Sequence, residues 1–422
     1  MAPFTTSTMM TRLSVGLRST TARIILILLL LLISASYLTP SQHHRLPFFP
    51  TGTNIHGFSL HKHGHDYGLS EAQCTAFFPK LYTQINHSIH LYEPHPITRA
   101  SLGTRGLENQ RNLLRAMIHT GSLYVLPEKN DLGTRTRATL LALHRALTAY
   151  PDRASLPNVE FVISEQDPGP FDGPVWGNTK KFQPDFDDVW LMPEFGYYSW
   201  PETKAGAYSE IRRGIAEVED QLPFEEKTRK LLWRGAPMNP RREAFLEATN
   251  DKPWADVHPL VWADKEDLAR HRLTIPEHCR YAFVAHMSGL SWSGQGKYMH
   301  NCRSVFITHH LEWLEIYSDA LVASGPDQNY VQAEDDWSDL ASIMHDLLEH
   351  PDKAKRIADN SARELRDRYM VPGAEACYWR ALIRGYAEVS FEPAFYEQDN
   401  RTWRGVPVES FMLMGTTTWV PD

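Results

Sequence analysis

Between residues 205 and 380 short apolar runs alternate with amphipathic stretches, and this alternation restricts the fold more than any other feature of the chain. Arg229 to Trp233, Tyr281 to Ala285 and Ser304 to Thr308 read as strands, and Pro240 to Thr249 reads as a helix. Asp335 to His350 puts Trp337, Leu340, Ile343, Met344, Leu347 and Leu348 on one helical face. Asp335 and Asp336 stand at its N-terminal end, and Pro351 stops it. Ala354 to Tyr369 follows as another helix. Strands that alternate with helices imply a parallel sheet, so the fold class is α/β. Upstream, Phe77, Phe78, Leu81, Ile85 and Ile89 recur at helical spacing, Thr136 to Tyr150 reads as an amphipathic helix, and Val159 to Ile163 reads as a buried strand.

The 422 residues are enough for two domains. A net charge of -8, with lysines and arginines scattered, argues against a nucleic-acid partner. Residues 23–38 hold an unbroken apolar run from Ile24 to Ile33 that continues to Leu38. A bilayer span takes about 20 apolar residues, and this shorter run suits the thin membranes of the endoplasmic reticulum or Golgi. Arg12, Arg18 and Arg23 precede or open it without an acidic residue. The reading is a single-pass type II signal anchor with residues 1–22 cytoplasmic and the body lumenal. Ser34-Ala35-Ser36 keeps a cleaved signal peptide open as the alternative. Residues 39–66 read as a stem, with Pro40, Pro47 and Pro50 and no periodicity. Its alternating His61, His63 and His65 read as exposed polar residues of a stem, with metal binding as the alternative. A lumenal body gives use to two N-glycosylation sequons, at Asn86 and Asn400, and to four cysteines, which allow three pairings.

The segment His278 to Ser304 carries the strongest chemical signal. Ser291, Ser293, Gly294 and Gly296 are small residues that let backbone N–H groups approach a phosphate, and Lys297 follows them. Arg234 follows a strand and precedes a Gly, Pro and Asn turn, a setting typical of ligand loops. Asp185-Phe186-Asp187 spells a metal-binding tripeptide, but in an acidic loop it reads as solvated surface.

Several separated motifs, in order, resemble the capsule-associated glycosyltransferases of family 90, over roughly residues 68 to 390 and closest to the fungal branch. They are Trp190 to Pro201, Trp233-Arg234-Gly235, the His278 to Ser304 segment, Glu312-Trp313, Ser324 to Tyr330 and Ala376 to Arg380. The resemblance implies a GT-B-like fold, two Rossmann-like domains facing across a cleft. Residues 67–204 would supply the acceptor side, 205–377 the UDP-sugar site, and 378–422 a crossover segment. It implies an inverting transfer of xylose or glucose from a UDP-sugar to a glycan or protein hydroxyl, with no metal and no other cofactor. The partners implied are the UDP-sugar, a glycan or glycoprotein acceptor and the membrane.

The same resemblance assigns Asp167 as catalytic base, with Glu165 and Asp172 nearby as alternatives. It assigns Arg234, Gly235, Arg242, Gly289, Ser293, Gln295, Lys297 and Glu312 to the donor. It also suggests the disulfides Cys279–Cys302 and Cys74–Cys377. Gln295 stands where part of the family has an arginine for the diphosphate, and glutamine brings no charge. That departure favours, as the alternative, a weakly active or non-catalytic lumenal protein that binds carbohydrate or nucleotide sugar.

Overall fold

The computed structural model describes residues 57–102, 113–126, 132–164, 171, 173–398 and 400–414. The apolar run 23–38 lies outside the described residues, as do Glu165, Asp167 and Asp172. Among the described residues no helix is long and apolar enough to cross a membrane.

Helices α1 (Glu71–Phe77) and α2 (Thr83–Tyr92) come early in the body. Ser70 starts α1 through a reciprocal capping box with Gln73. Residues 57–66, read from sequence as the end of a stem, pack here instead. Phe58 stands edge-on to Phe77 and Phe78, and His63 stacks on Phe77 at 4.5 Å. Aromatic burial orders this stretch despite its lack of periodicity.

Strands β1 (Leu113–His119) and β2 (Ser122–Val125) form a hairpin, closed by Thr120 and Gly121 at φ 50° and 69° as a two-residue turn requires. Helix α3 (Thr134–Thr148) leads to β3 (Val159–Ser164), which pairs antiparallel with β1. Strands β4 (Val175–Gly177) and β6 (Val189–Leu191) extend the sheet in parallel, while β5 (Lys180–Lys181) leaves it. This N-terminal sheet is therefore mixed. Where the family resemblance implies a Rossmann-like domain, this half combines parallel pairing with a hairpin on one side.

A short ribbon, β7 (Ser199–Trp200) with β8 (Gly206–Ala207), and helix α4 (Tyr208–Gln221) lead into the second half. There the chain runs β9 (Thr228–Gly235), α5 (Pro240–Thr249), β10 (Ala255–Pro259), α6 (Lys265–His271), β11 (Tyr281–His286), α7 (Gly296–Met299) and β12 (Val305–Thr308). After β13 (Trp313–Leu314) comes the last strand of this sheet, β14 (Val331–Gln332). The sheet order is β10-β9-β11-β12-β14, and every neighbouring pair is parallel. The expected parallel sheet is present. Its core holds Leu231, Trp233, Phe245, Phe283, Ile307 and Trp337, all buried.

Helices α8 (Leu340–Glu349) and α9 (Pro351–Ser361) follow. The helix expected from Asp335 begins only at Leu340. Trp337 sits at φ 62°, where its indole N–H donates to the Arg241 carbonyl at 3.0 Å, so tertiary packing rather than helical periodicity turns it inward. The helix expected through Tyr369 changes to π-helical winding over Ala362–Tyr369. Helix α10 (Pro372–Glu388) returns to pack on α2 and α3, and β15 (Val406–Pro407) closes the edge beside β2.

Both suggested disulfides form. Cys74 and Cys377 join α1 to α10 with Cα atoms 5.5 Å apart, and Cys279 and Cys302 tie the start of β11 to the approach to β12 at 4.9 Å. Asn86 and Asn400 are both exposed.

Candidate functional site

In chain order the second sheet reads 2-1-3-4-5, so its topology reverses between β9 and β11. Ligands of open α/β sheets bind in the crevice beyond the strand carboxyl ends at such a point. Here the strand ends are Arg234-Gly235 of β9 and His286 of β11. A cleft of about 890 Å³ opens there, and Arg234, Gly235, Arg242, Gly289, Ser293 and Gln295 line it.

Arg242 is one of the cations that line this crevice. It belongs to the first turn of α5, whose N-terminus is capped by Asn239, the side-chain oxygen accepting from the Arg242 N–H at 2.9 Å, with Pro240 at the position where a missing N–H costs nothing. The amide nitrogen of Asn239 donates to the Ser288 and Gly289 carbonyls at 3.0 and 2.7 Å, tying α5 to the loop after β11. The Arg242 guanidinium is 6% exposed and donates to three carbonyls, those of Ala236, Met287 and Ser288, at 2.8 to 3.2 Å. No described carboxylate pairs with it. Burial lowers its pKa to about 10, so the group stays charged at neutral pH. Among the described residues carbonyl dipoles and the Trp233 ring, 5.6 Å away, hold this buried cation, a costly arrangement that an arriving anion relieves.

Two glycines of the crevice wall pack too closely on tryptophan rings to carry a side chain. A Cβ on Gly235 would lie 2.7 Å from the Trp233 ring, and one on Gly294 would lie 2.9 Å from Trp200. Gln295 caps the short α7 with its backbone and is half-buried on the cleft wall beside Ser293.

Three assigned residues are committed elsewhere. Arg234 lines the cleft, but its guanidinium pairs with Asp256 at 2.6 Å and donates to the carbonyls of Trp233, Asp256 and His271. Four of its five N–H groups are thereby occupied. Lys297 is wholly buried, paired with Glu194 and donating to the Gly294 carbonyl at 2.9 Å, with its ammonium 3.9 Å from the centre of the Tyr298 ring. It does not line the cleft, and its place after the Gly-Ser turn does not make it a phosphate ligand in this geometry. Glu312 accepts from Lys181 at 2.6 Å and from Arg241 at 2.8 Å, and these two cations hold its carboxyl down to about 2. It braces the two halves where β13 pairs with β5, away from the cleft.

Asp167 lies outside the described residues. Its supporting strand β3 ends at Ser164, and the parallel neighbour β4 runs on to Thr179, whose hydroxyl donates to the Leu314 carbonyl of the second half at 2.8 Å. The carboxyl ends of these strands therefore face the second half.

The first half also contributes Arg135, 4.9 and 5.5 Å over the Phe195 and Trp200 rings, which sequence reading missed. Asn239 was missed too, although Asn-Pro before a helical run is a legible cap signal. Arg135 carries no comparable local signal.

The model of the family described as Glycosyl transferase family 90 matches residues 70–401. Protein O-glucosyltransferase 1 of Homo sapiens is 22% identical over 338 residues, which cover 72% of this chain and 84% of the relative. The O-glucosyltransferase rumi homolog of Aedes aegypti is 24% identical over 261 residues, 57% of this chain and 63% of the relative. Among solved structures, HepE of Anabaena in complex with UDP and glucose shares 14% identity over 47% of this chain and 59% of its own. Its TM-score of 0.30 is too low to relate the two folds over their length.

Proposed function

The chain belongs to glycosyl transferase family 90, and from that premise we propose that its cleft binds a UDP-sugar and transfers the sugar, with inversion, to an acceptor hydroxyl. The two halves then act as the two domains of a GT-B enzyme. The observation that carries this reading is Arg242: a buried guanidinium that pairs with no carboxylate among the described residues, at the reversal point of a parallel sheet. The diphosphate of a nucleotide sugar would supply an anion to it.

In this mechanism a carboxylate removes the acceptor proton as the hydroxyl oxygen attacks the anomeric carbon. Asp167, beyond β3, is our assignment for that base. The bond from the anomeric carbon to the phosphate oxygen breaks, and UDP departs with the bonding electron pair. Arg242 and the remaining N–H of Arg234 stabilise the charge that develops, and Gln295 adds an uncharged donor. With these groups in place the reaction needs no metal to neutralise the diphosphate. Relatives named as O-glucosyltransferases favour glucose as the sugar and a protein as the acceptor; xylose and a glycan are the other pair that the family resemblance supports. Two disulfides and two exposed sequons support a lumenal body on the membrane of the endoplasmic reticulum or Golgi.

A thermal-shift screen of the purified chain against UDP-glucose, UDP-xylose and UDP, followed by a UDP-release assay, tests the proposal. At least one UDP-sugar should raise the melting temperature and be turned over. Failure of every UDP compound to bind would contradict it.

A further inference from the structure

Among the described residues outside the donor crevice, one cluster of side chains has the chemistry of a metal site. His258 stands on β10, and Asp267 and His271 lie four residues apart on one face of α6. Each offers one ligand atom, and the three atoms all lie within 4.8 Å of one another. We propose that His258, Asp267 and His271 bind a divalent transition-metal ion, zinc in particular, which pins α6 to β10 along the cleft wall.

Local structure aims these groups at each other. Asp264 caps α6, accepting from the Glu266 and Asp267 N–H groups at 2.9 and 3.0 Å, and so fixes where Asp267 begins the helical face. One Asp267 oxygen accepts from the Val261 N–H at 3.2 Å, and the other meets His258 Nε2 at 2.8 Å. The second oxygen is the one that would take a metal in place of its contact with His258. The His258 and His271 rings stack with centroids 3.6 Å apart, so both imidazoles stand beside the Asp267 carboxylate.

Two imidazoles and one carboxylate, with a fourth position left to water, match the donor set that zinc takes. The ion replaces the shared proton between His258 and Asp267. With zinc–nitrogen and zinc–oxygen bonds of about 2 Å, their separation opens only to roughly 3.3 Å. A ring nitrogen of His271 already lies within 4.8 Å of the other two ligand atoms, so a modest approach completes the set.

The location gives the site a structural consequence. The carbonyl of His271 accepts from Arg234 Nε at 2.9 Å, and His258 lies opposite Arg234 in the β9–β10 register. An ion here holds both neighbours of Arg234. The role is that of a staple on the wall, separate from any chemistry at the sugar.

The test uses the purified full chain without a histidine tag, equilibrated with zinc sulfate and desalted. Zinc per chain is counted by mass spectrometry, and melting temperature is recorded with and without zinc. Histidines near the N-terminus, such as His56 and His61, are common to all samples, so the difference between variants is what counts. The wild type should hold one more zinc per chain than the His258→Asn, His271→Gln double variant, and the variant should lose the zinc-dependent rise in melting temperature. Equal zinc content, or an unchanged rise, would overturn the proposal. Should the double variant fail to reach the wild-type fold in the absence of zinc, Asp267→Asn, which keeps the side-chain shape, takes its place. A loss of at least tenfold in zinc affinity is then expected, and wild-type affinity would overturn the site.

Discussion

Lys297 and Glu194 form an ion pair in which both side chains are all but inaccessible, and it joins the second half of the body to the segment that follows β6 in the first. Removing one partner of a buried pair leaves the other charge uncompensated, at a cost of about 3–5 kcal/mol. Lys297→Met should therefore lower the denaturant midpoint strongly. Were Lys297 a phosphate ligand instead, the same change would weaken UDP binding in a protein of near wild-type stability. Paired denaturation and binding measurements separate the two.

Much of the fold is legible in the residues themselves. Val159 to Ile163 and Arg229 to Trp233 read correctly because strands carry their own apolar signature, and β3 and β9 extend them by one to three residues. Tertiary packing hides the rest. Trp337 is buried through a left-handed turn and not a helix face. Lys297 and Glu194 are distant in sequence, as are Glu312 and Lys181, and no local pattern reports such pairing. The residue types of the site are readable around Trp-Arg-Gly and the Gly-Ser turn. Which cations remain unpaired is not, because that depends on partners from other elements.

The two disulfides should differ in worth. Chain-entropy estimates give roughly 6 kcal/mol for the Cys74–Cys377 link, which closes 303 residues, and roughly 3 kcal/mol for the 23-residue Cys279–Cys302 link. Replacing each pair with serine should shift the unfolding midpoint more for the long link. A larger loss from the short one would show that native contacts around α7, and not loop closure, set the difference.

Stability should peak near neutral pH. Burial pushes the Glu375 carboxyl up to about 7, with Arg145 at 3.0 Å pulling against it. A carboxyl raised in the folded state contributes stability that is full below its unfolded value of 4.5 and is lost as pH climbs through about 7. His278, His286, His300 and His309 are held below 6.5 by burial, and their contribution is lost as pH falls below that value. Melting temperature should thus decline on both sides. Glu375→Gln should remove part of the alkaline decline, so its difference from wild type should grow from pH 5.5 to pH 8. Parallel profiles would contradict the assignment.

Gln295 and Asp167 separate donor binding from chemistry. Gln295→Arg places a charge on the cleft wall and should tighten UDP binding, most visibly at low salt. Asp167→Asn should leave UDP affinity near wild type while lowering transfer on the order of 100- to 10,000-fold. Transfer at the wild-type rate would remove Asp167 from the mechanism. UDP binding by the wild type without turnover would favour a protein that holds the nucleotide sugar and does not transfer it.

The donor site stands or falls with Arg242, and calorimetric titration with UDP addresses it most directly. Wild type, Arg242→Lys and Arg242→Gln are compared, each first shown to be folded by circular dichroism. Arg242→Gln should bind UDP at least tenfold more weakly than wild type, with Arg242→Lys between them, because a charge-assisted bond to phosphate is roughly twice as strong as a neutral one. Wild-type affinity in Arg242→Gln would show that the diphosphate lies elsewhere and would contradict the proposed donor site.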